Sequence, residues 1–213
     1  MLYARKRPPQ WLFERDRVRV CGTRGDTEIA DETRTQLHLA GLSISDIVFI
    51  IDTFGVSRAR STVHNWIHKA ELRPEAGRSP DHVAVDETVI RLNDEQYWLY
   101  AAVDPDTNEL LHIALEPTTN KGIAHAFFAE LREKHDVDDT VFLIDGSHSL
   151  KDARRRHSLD FRYERHGNRN SVERVFREIK RRTTSFSNCF GNVEADTADD
   201  WHRSFAFAWN QLV

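Results

Sequence analysis

His82-Val-Ala-Val-Asp-Glu-Thr-Val-Ile-Arg-Leu92, then Asn93-Asp94, then Tyr97-Trp-Leu-Tyr-Ala-Ala-Val103 is the stretch that decides the fold of this chain. Both runs are rich in β-branched and aromatic residues, and Asn-Asp between them has the chemistry of a tight hairpin turn. Asp104-Pro-Asp-Thr-Asn108 turns the chain again, and residues 110–115 complete a third strand. Downstream the period changes. Ile123, Ala126, Phe127 and Leu131 fall on one face of a helix over residues 121–134, and the apolar run over residues 140–144 reads as a strand buried on both faces. After Asp145 the pattern predicts a helix, a short strand over residues 160–163, a helix over residues 170–182 and a Trp-rich helix over residues 197–212. Antiparallel strands followed by crossovers imply an α/β fold: a mixed central sheet flanked by helices.

Upstream, residues 32–72 have helical periodicity. Ser43-x-x-Asp46 resembles a capping box, Gly55 ends the helix it opens, and Val63, Trp66 and Ile67 form the apolar side of a third helix beginning near Ser57. This is a helix-turn-helix pattern whose last helix presents Arg58, Arg60, Ser61, His64, Asn65 and His68 outward, able to bond phosphates and base edges. A plain three-helix bundle with a polar surface has the same pattern. Two prolines and a glycine in residues 73–80 mark a linker. The expected division is an N-terminal arm (residues 1–31), a small all-helical domain (32–72), the linker (73–80) and the α/β domain (81–213).

A chain of 213 residues with 39% hydrophobic content suffices for one sizeable core and a small accessory domain. Its longest apolar stretch, residues 44–51, is far short of the roughly 20 residues of a membrane span. No apolar region follows the basic start, so a cytoplasmic protein without a membrane partner is expected. Cys21 and Cys189 have no ligand-spaced neighbours, which excludes a zinc module built on them. The net charge of −4 hides an uneven distribution: residues 151–182 hold twelve cations against five acids. That segment, with Arg169, Arg177 and Arg181, could track a phosphate backbone, although a solvated face laced with ion pairs has the same composition.

Asp86 interrupts a strand, and Asp145 ends one. Burying an unpaired carboxylate costs several kcal/mol, so each needs a compensating partner, and a bound cation is the most direct. Alternatively, each aspartate caps a turn. In the helix over residues 170–182, Val172, Val175, Phe176 and Ile179 define the packed face. Glu173 and Lys180, seven residues apart and so about 20° from each other around the axis, flank that stripe. Glu173 can therefore turn toward the aspartates, with Lys180 along the same edge. Three oxygen donors without His or Cys suit Mg²⁺, with Mn²⁺ as a substitute.

The combination of Gly55-Val-Ser-Arg-Ala-Arg-Ser-Thr-Val-His-Asn-Trp66, Val85-Asp-Glu-Thr88, Tyr97-Trp-Leu-Tyr-Ala-Ala-Val-Asp104, Ile144-Asp145 and Arg169-Asn-Ser-Val-Glu173 followed by Lys180 resembles the DDE transposases of insertion-sequence family six. The likeness covers residues 32–212. It implies a ribonuclease-H-like catalytic domain, metal ligands at Asp86, Asp145 and Glu173 with Lys180 as the accompanying basic residue, and Mg²⁺-dependent cleavage and strand transfer on double-stranded DNA. It further implies recognition of terminal inverted repeats by the last helix of the small domain. Joining two DNA ends implies a homodimer. The interval from Asp145 to Glu173 is shorter than in most members, so an inactive DNA-binding descendant and a structure-specific nuclease stand as the alternatives. Arginine outnumbers lysine 24 to 6, a balance resembling members from halophilic archaea, while the pI near 6.3 is mild for strong salt adaptation.

Overall fold

Residues that fit a pleated, half-buried surface form three consecutive antiparallel strands: β1 (His82–Leu92), β2 (Glu95–Val103) and β3 (Leu110–Glu116). The computed structural model describes residues 38, 43–53, 55–63, 72–145, 150, 152, 159–164, 167–183 and 193–213. Asn93 and Asp94, with φ of 51° and 74°, make the two-residue turn between β1 and β2, the left-handed backbone that Asn and Asp tolerate. The next turn is organised by Asp104, whose carboxylate accepts the amides of Asp106 at 2.8 Å and Thr107 at 3.4 Å. Asp104 is thus committed to its turn.

Helices carry the chain to the parallel half of the sheet. Asn120 caps the first of them by accepting the Ile123 amide at 3.0 Å. Among the described elements in chain order, the helices are α1 (Ile44–Thr53), α2 (Lys121–Lys134), α3 (Asn170–Thr183) and α4 (Ala195–Asn210), and the remaining strands are β4 (Val141–Ile144) and β5 (Asp160–Tyr163). β4 pairs parallel to β1, and β5 parallel to β4. The sheet order is β3-β2-β1-β4-β5. Three antiparallel strands with two parallel ones added beside the first is the ribonuclease-H-like arrangement. Of the helix expected between β4 and β5, only Leu150 and Asp152 are described.

The two faces of the sheet have separate cores. Ala84, Leu99, Ala101 and Leu143 pack with Val172, Val175, Phe176 and Ile179 of α3 and Phe205 of α4. Val83, Val85, Tyr100, Phe142 and Ile144 pack with Phe127, Phe128 and Leu131 of α2. A third, small core joins Ile47 and Ile51 of α1 to Val63. Around α1, Ser43 and Asp46 bond reciprocally as a capping box, and Gly55, at φ 81°, forms a Schellman close in which Gly55 donates to Asp52 and Val56 to Ile51. The following helical turn begins at Arg60 rather than near Ser57. The Gly55 and Val56 amides pair back to α1, and residues 56–59 belong to no helix.

α4 closes the edge of the sheet. Asn210 pairs with both backbone groups of Leu110, at 2.8 and 3.1 Å, and Asp199 accepts the Leu115 amide at 3.0 Å. Edge strands invite foreign pairing unless covered, and β3 is covered by these side chains. Trp201 and Trp209 pack against the core, so their aromatic mass is structural. The helix runs from Ala195 to Asn210, two residues earlier at each end than its expected bounds.

His202 on α4 is wholly buried, bonds the Ala198 carbonyl at 2.6 Å, and burial pushes its pKa down to about 4. The unfolded chain takes up this proton near pH 6.5 and the folded chain only near 4. Its stabilising contribution is therefore full above pH 6.5 and falls as pH drops toward 4, by about 3 kcal/mol. Urea titrations of wild type and His202→Leu at pH 7.5 and 4.5 should show the wild type losing that much relative to the variant. A difference that is the same at both pH values contradicts the assignment.

Candidate active site

Successive residues of a strand point to opposite faces. On β1, Ala84 and Ile90 belong to the core beneath α3, so Asp86 and Thr88 between them face α3 too. On β4, Leu143 belongs to that core while Phe142 and Ile144 belong to the opposite one, so Asp145 leaves the strand on the α3 side. Ala84 stands opposite Leu143 in the parallel β1–β4 pair, and carrying the register two residues on sets Asp145 against Asp86. The charge of Asp145 acts directly on the Asp86 carboxyl.

The glutamate arrives from α3. A 3₁₀ turn over Gly167–Arg169 packs against β1 and β4 and leads into the helix. Gly167 adopts φ 89°, and a Cβ there would lie 2.6 Å from Glu164 Oε1, the atom that accepts the Asn168 amide. The positive φ favours glycine, and any larger residue would also have to displace the Glu164 carboxylate from the Asn168 amide. Val172, Val175, Phe176 and Ile179 are buried as their spacing predicts, which leaves Glu173 at the edge of the stripe with its side chain 46% exposed.

Between the acids stands a cation. Arg169 Nη1 lies 2.7 Å from Asp86 Oδ2 and Nη2 lies 2.7 Å from Glu173 Oε1, so one guanidinium bridges β1 to α3. Two residues along β1 and seven along α3, Lys180 Nζ donates to Thr88 Oγ1 at 2.6 Å. Burial is the largest influence on Asp86 and raises its carboxyl pKa from 3.8 to about 6; Arg169 draws it down and Asp145 pushes it further up. Asp86 Oδ1 also accepts the Glu87 amide at 3.0 Å.

Sequence reasoning directed Arg169 toward DNA, whereas its side chain is 10% exposed and engaged with the acids. Its spacing of four residues from Glu173 signals a helical ion pair; the aspartate end of the bridge has no local signal. Thr88 was missed, although lying two residues beyond Asp86 gives it the same face. Arg177 and Arg181 are exposed on α3, with Arg181 held by Glu178 at 2.6 and 2.9 Å. Arg58, Arg60 and Ser61 are exposed beside the small core, while His64, Asn65 and His68 lie outside the described residues.

With Arg169 between two of the acids, no three His, Cys, Asp or Glu among the described residues stand close enough to hold one metal ion. The donor chemistry nevertheless fits a hard cation. The groups that meet are carboxylates, and the space between two of them already accommodates positive charge.

A family model described as a DDE domain matches residues 81–195. The chain belongs to the DDE transposases of insertion-sequence family six. The transposase is accordingly a polynucleotidyl transferase of DNA, of a family that uses divalent metal ions. An uncharacterized protein of Methanocaldococcus jannaschii is 28% identical over 177 residues, covering 82% of each chain. Among solved structures, the integrase catalytic core domain of HTLV-2 in complex with magnesium is 14% identical with a TM-score of 0.44, over 61% of this chain and 85% of that one. The Mos1 strand transfer complex is 11% identical with a TM-score of 0.33, over 84% and 75%. The family assignment rests on the sequence match. No helix among the described residues is long and apolar enough to cross a membrane.

The raised Asp86 carboxyl has a measurable sign in the metal-free transposase. Below pH 3.8 it is protonated in both states. Between pH 3.8 and about 6 the unfolded chain has lost this proton while the folded chain keeps it, so stability falls by about 3 kcal/mol relative to Asp86→Asn and levels off above 6. Urea titrations in EDTA at pH 4 and 7.5 should show the variant gaining on wild type by about 2 kcal/mol. A constant gap would mean that Asp86 is not buried as described.

Proposed function

We propose that Asp86, Asp145 and Glu173 are the metal ligands of this transposase and that the ions are Mg²⁺, replaceable by Mn²⁺. The observation carrying this reading is that Asp86 within β1 and Asp145 just past the end of the adjacent parallel strand β4 lie toward one face of the sheet, with Glu173 joined to Asp86 through a single guanidinium. Bound there, a pair of divalent ions supplies activation of a water or 3′-hydroxyl and stabilisation of the leaving oxygen at a phosphodiester. The chain's own part is to hold three carboxylates on rigid elements, to keep the sheet beneath them dry, and to set Lys180 along the same edge through Thr88. Lys180 is the cation offered to the DNA backbone beside the acids.

Recognition of the terminal inverted repeats belongs, in this proposal, to residues 57–69, with Arg58, Arg60, Ser61, His64, Asn65 and His68 as contacts; the exposure of Arg58, Arg60 and Ser61 supports it. The exposed Arg177 and Arg181 of α3 follow the phosphates of repeat or target DNA. The division into an arm (1–31), a repeat-binding domain (32–72), a linker (73–80) and a catalytic domain (81–213) is proposed on the same footing. So are a homodimer that pairs two element ends and action in the cytoplasm.

Cleavage and joining assays on a duplex carrying the element's ends, with a target plasmid, test this. Asp86→Asn, Asp145→Asn and Glu173→Gln should each lower Mg²⁺-dependent cleavage by about 10³-fold or more while leaving repeat binding intact in a gel-shift assay. Wild type should yield joined molecules. Wild-type rates in any of the three variants would remove that residue from the ligand set.

A further inference from the structure

Arg169 is enclosed to a degree unusual for a cation. The residue is 8% exposed, and its Nε is buried without a hydrogen-bond partner. A guanidinium offers five N–H donors in a rigid fork, and an arginine placed only for structure would be expected to have that fork satisfied, since each buried donor left unmade is costly. Here the fork reaches one oxygen on Asp86 and one on Glu173. Those carboxylates come from different elements, a central strand and a helix. Without a cation between them they would repel, with Asp145 adding a third negative charge nearby.

We propose that Arg169 is the resident counter-ion of the acid site: it holds Asp86 and Glu173 together while no metal is bound, and a divalent cation loads only by displacing the guanidinium. The proposal rests on the reading of Asp86 and Glu173 as ligands. Guanidinium and metal compete for the same two carboxylates, since Asp86 Oδ2 and Glu173 Oε1 already accept short, charge-assisted bonds from Arg169. Arginine suits the task because its charge persists at any physiological pH and its weak hydration tolerates burial. The measured metal affinity is then the intrinsic affinity reduced by the fraction of molecules in which Arg169 has moved aside. The opposite arrangement, in which Arg169 stays in place and steadies the acids for the metal, predicts the reverse dependence.

The test is calorimetric titration of the full chain with Mn²⁺, for wild type, Arg169→Ala and Asp86→Asn, with melting temperatures measured in EDTA and in Mn²⁺. If Arg169 competes, Arg169→Ala binds Mn²⁺ about tenfold or more tightly than wild type, melts lower in EDTA, and regains the loss in Mn²⁺. Equal or weaker Mn²⁺ binding by Arg169→Ala overturns the proposal while leaving the ligand reading intact. Asp86→Asn binding Mn²⁺ as tightly as wild type overturns the ligand reading and the proposal with it. Should Arg169→Ala not fold, proton exchange at the wild-type guanidinium is the readout. Mg²⁺ should free the Arg169 N–H protons to exchange with water, and unchanged protection overturns displacement.

Discussion

A carboxylate on the central strand of the sheet has to be neutralised, and the arrangement around the site follows from how that is done. Asp86 sits on β1, with β2 on one side and β4 on the other, facing a core of aliphatic side chains. Its charge is too enclosed to be left to water. Arg169 answers it at 2.7 Å, and because the same guanidinium reaches Glu173, neutralising Asp86 also fixes α3 against the sheet. Lys180 and Thr88 repeat the link further along both elements. Asp86 and Glu173 are thereby held to one guanidinium by the requirement that makes the first of them expensive to bury.

The rest of the fold keeps that place rigid. Two cores, one on each face, clamp the sheet, and α4 covers the β3 edge through Asn210, Asp199 and the indole of Trp209, which donates to the Asn108 carbonyl at 2.8 Å. Side chains carried on a packed strand and a packed helix, as Asp86 and Glu173 are, can be held in fixed positions. Among the described residues, the small core around Ile47, Ile51 and Val63 draws none from either of the sheet's cores.

What the sequence makes legible here is what short windows encode. The three antiparallel strands, the Asn93-Asp94 turn, the bounds of α2, the buried stripe of α3 and the turn role of Asp104 are all set by residues within a few positions of one another. The strand parity that directs Asp86 and Asp145 to one face is local as well. Arg169 and Asp86, by contrast, are 83 positions apart, and Asn210 and Leu110 are 100 apart. No periodicity carries such pairings, because any of the many arginines near residue 169 has the right charge and only the packed fold selects one. The segment around α1 shows the same limit on a shorter scale, since Gly55 and Val56 bond back to α1 and the next helical turn starts later than residue propensities suggest.

On the proposed reading, the cation held between Asp86 and Glu173 marks a metal site. Anomalous diffraction from crystals of the transposase soaked in Mn²⁺ tests it most directly. Manganese peaks are expected against the carboxylates of Asp86, Asp145 and Glu173, with the Arg169 guanidinium turned away from Asp86. Manganese bound elsewhere, or an Arg169 bridge intact in the metal-loaded crystal, would contradict it.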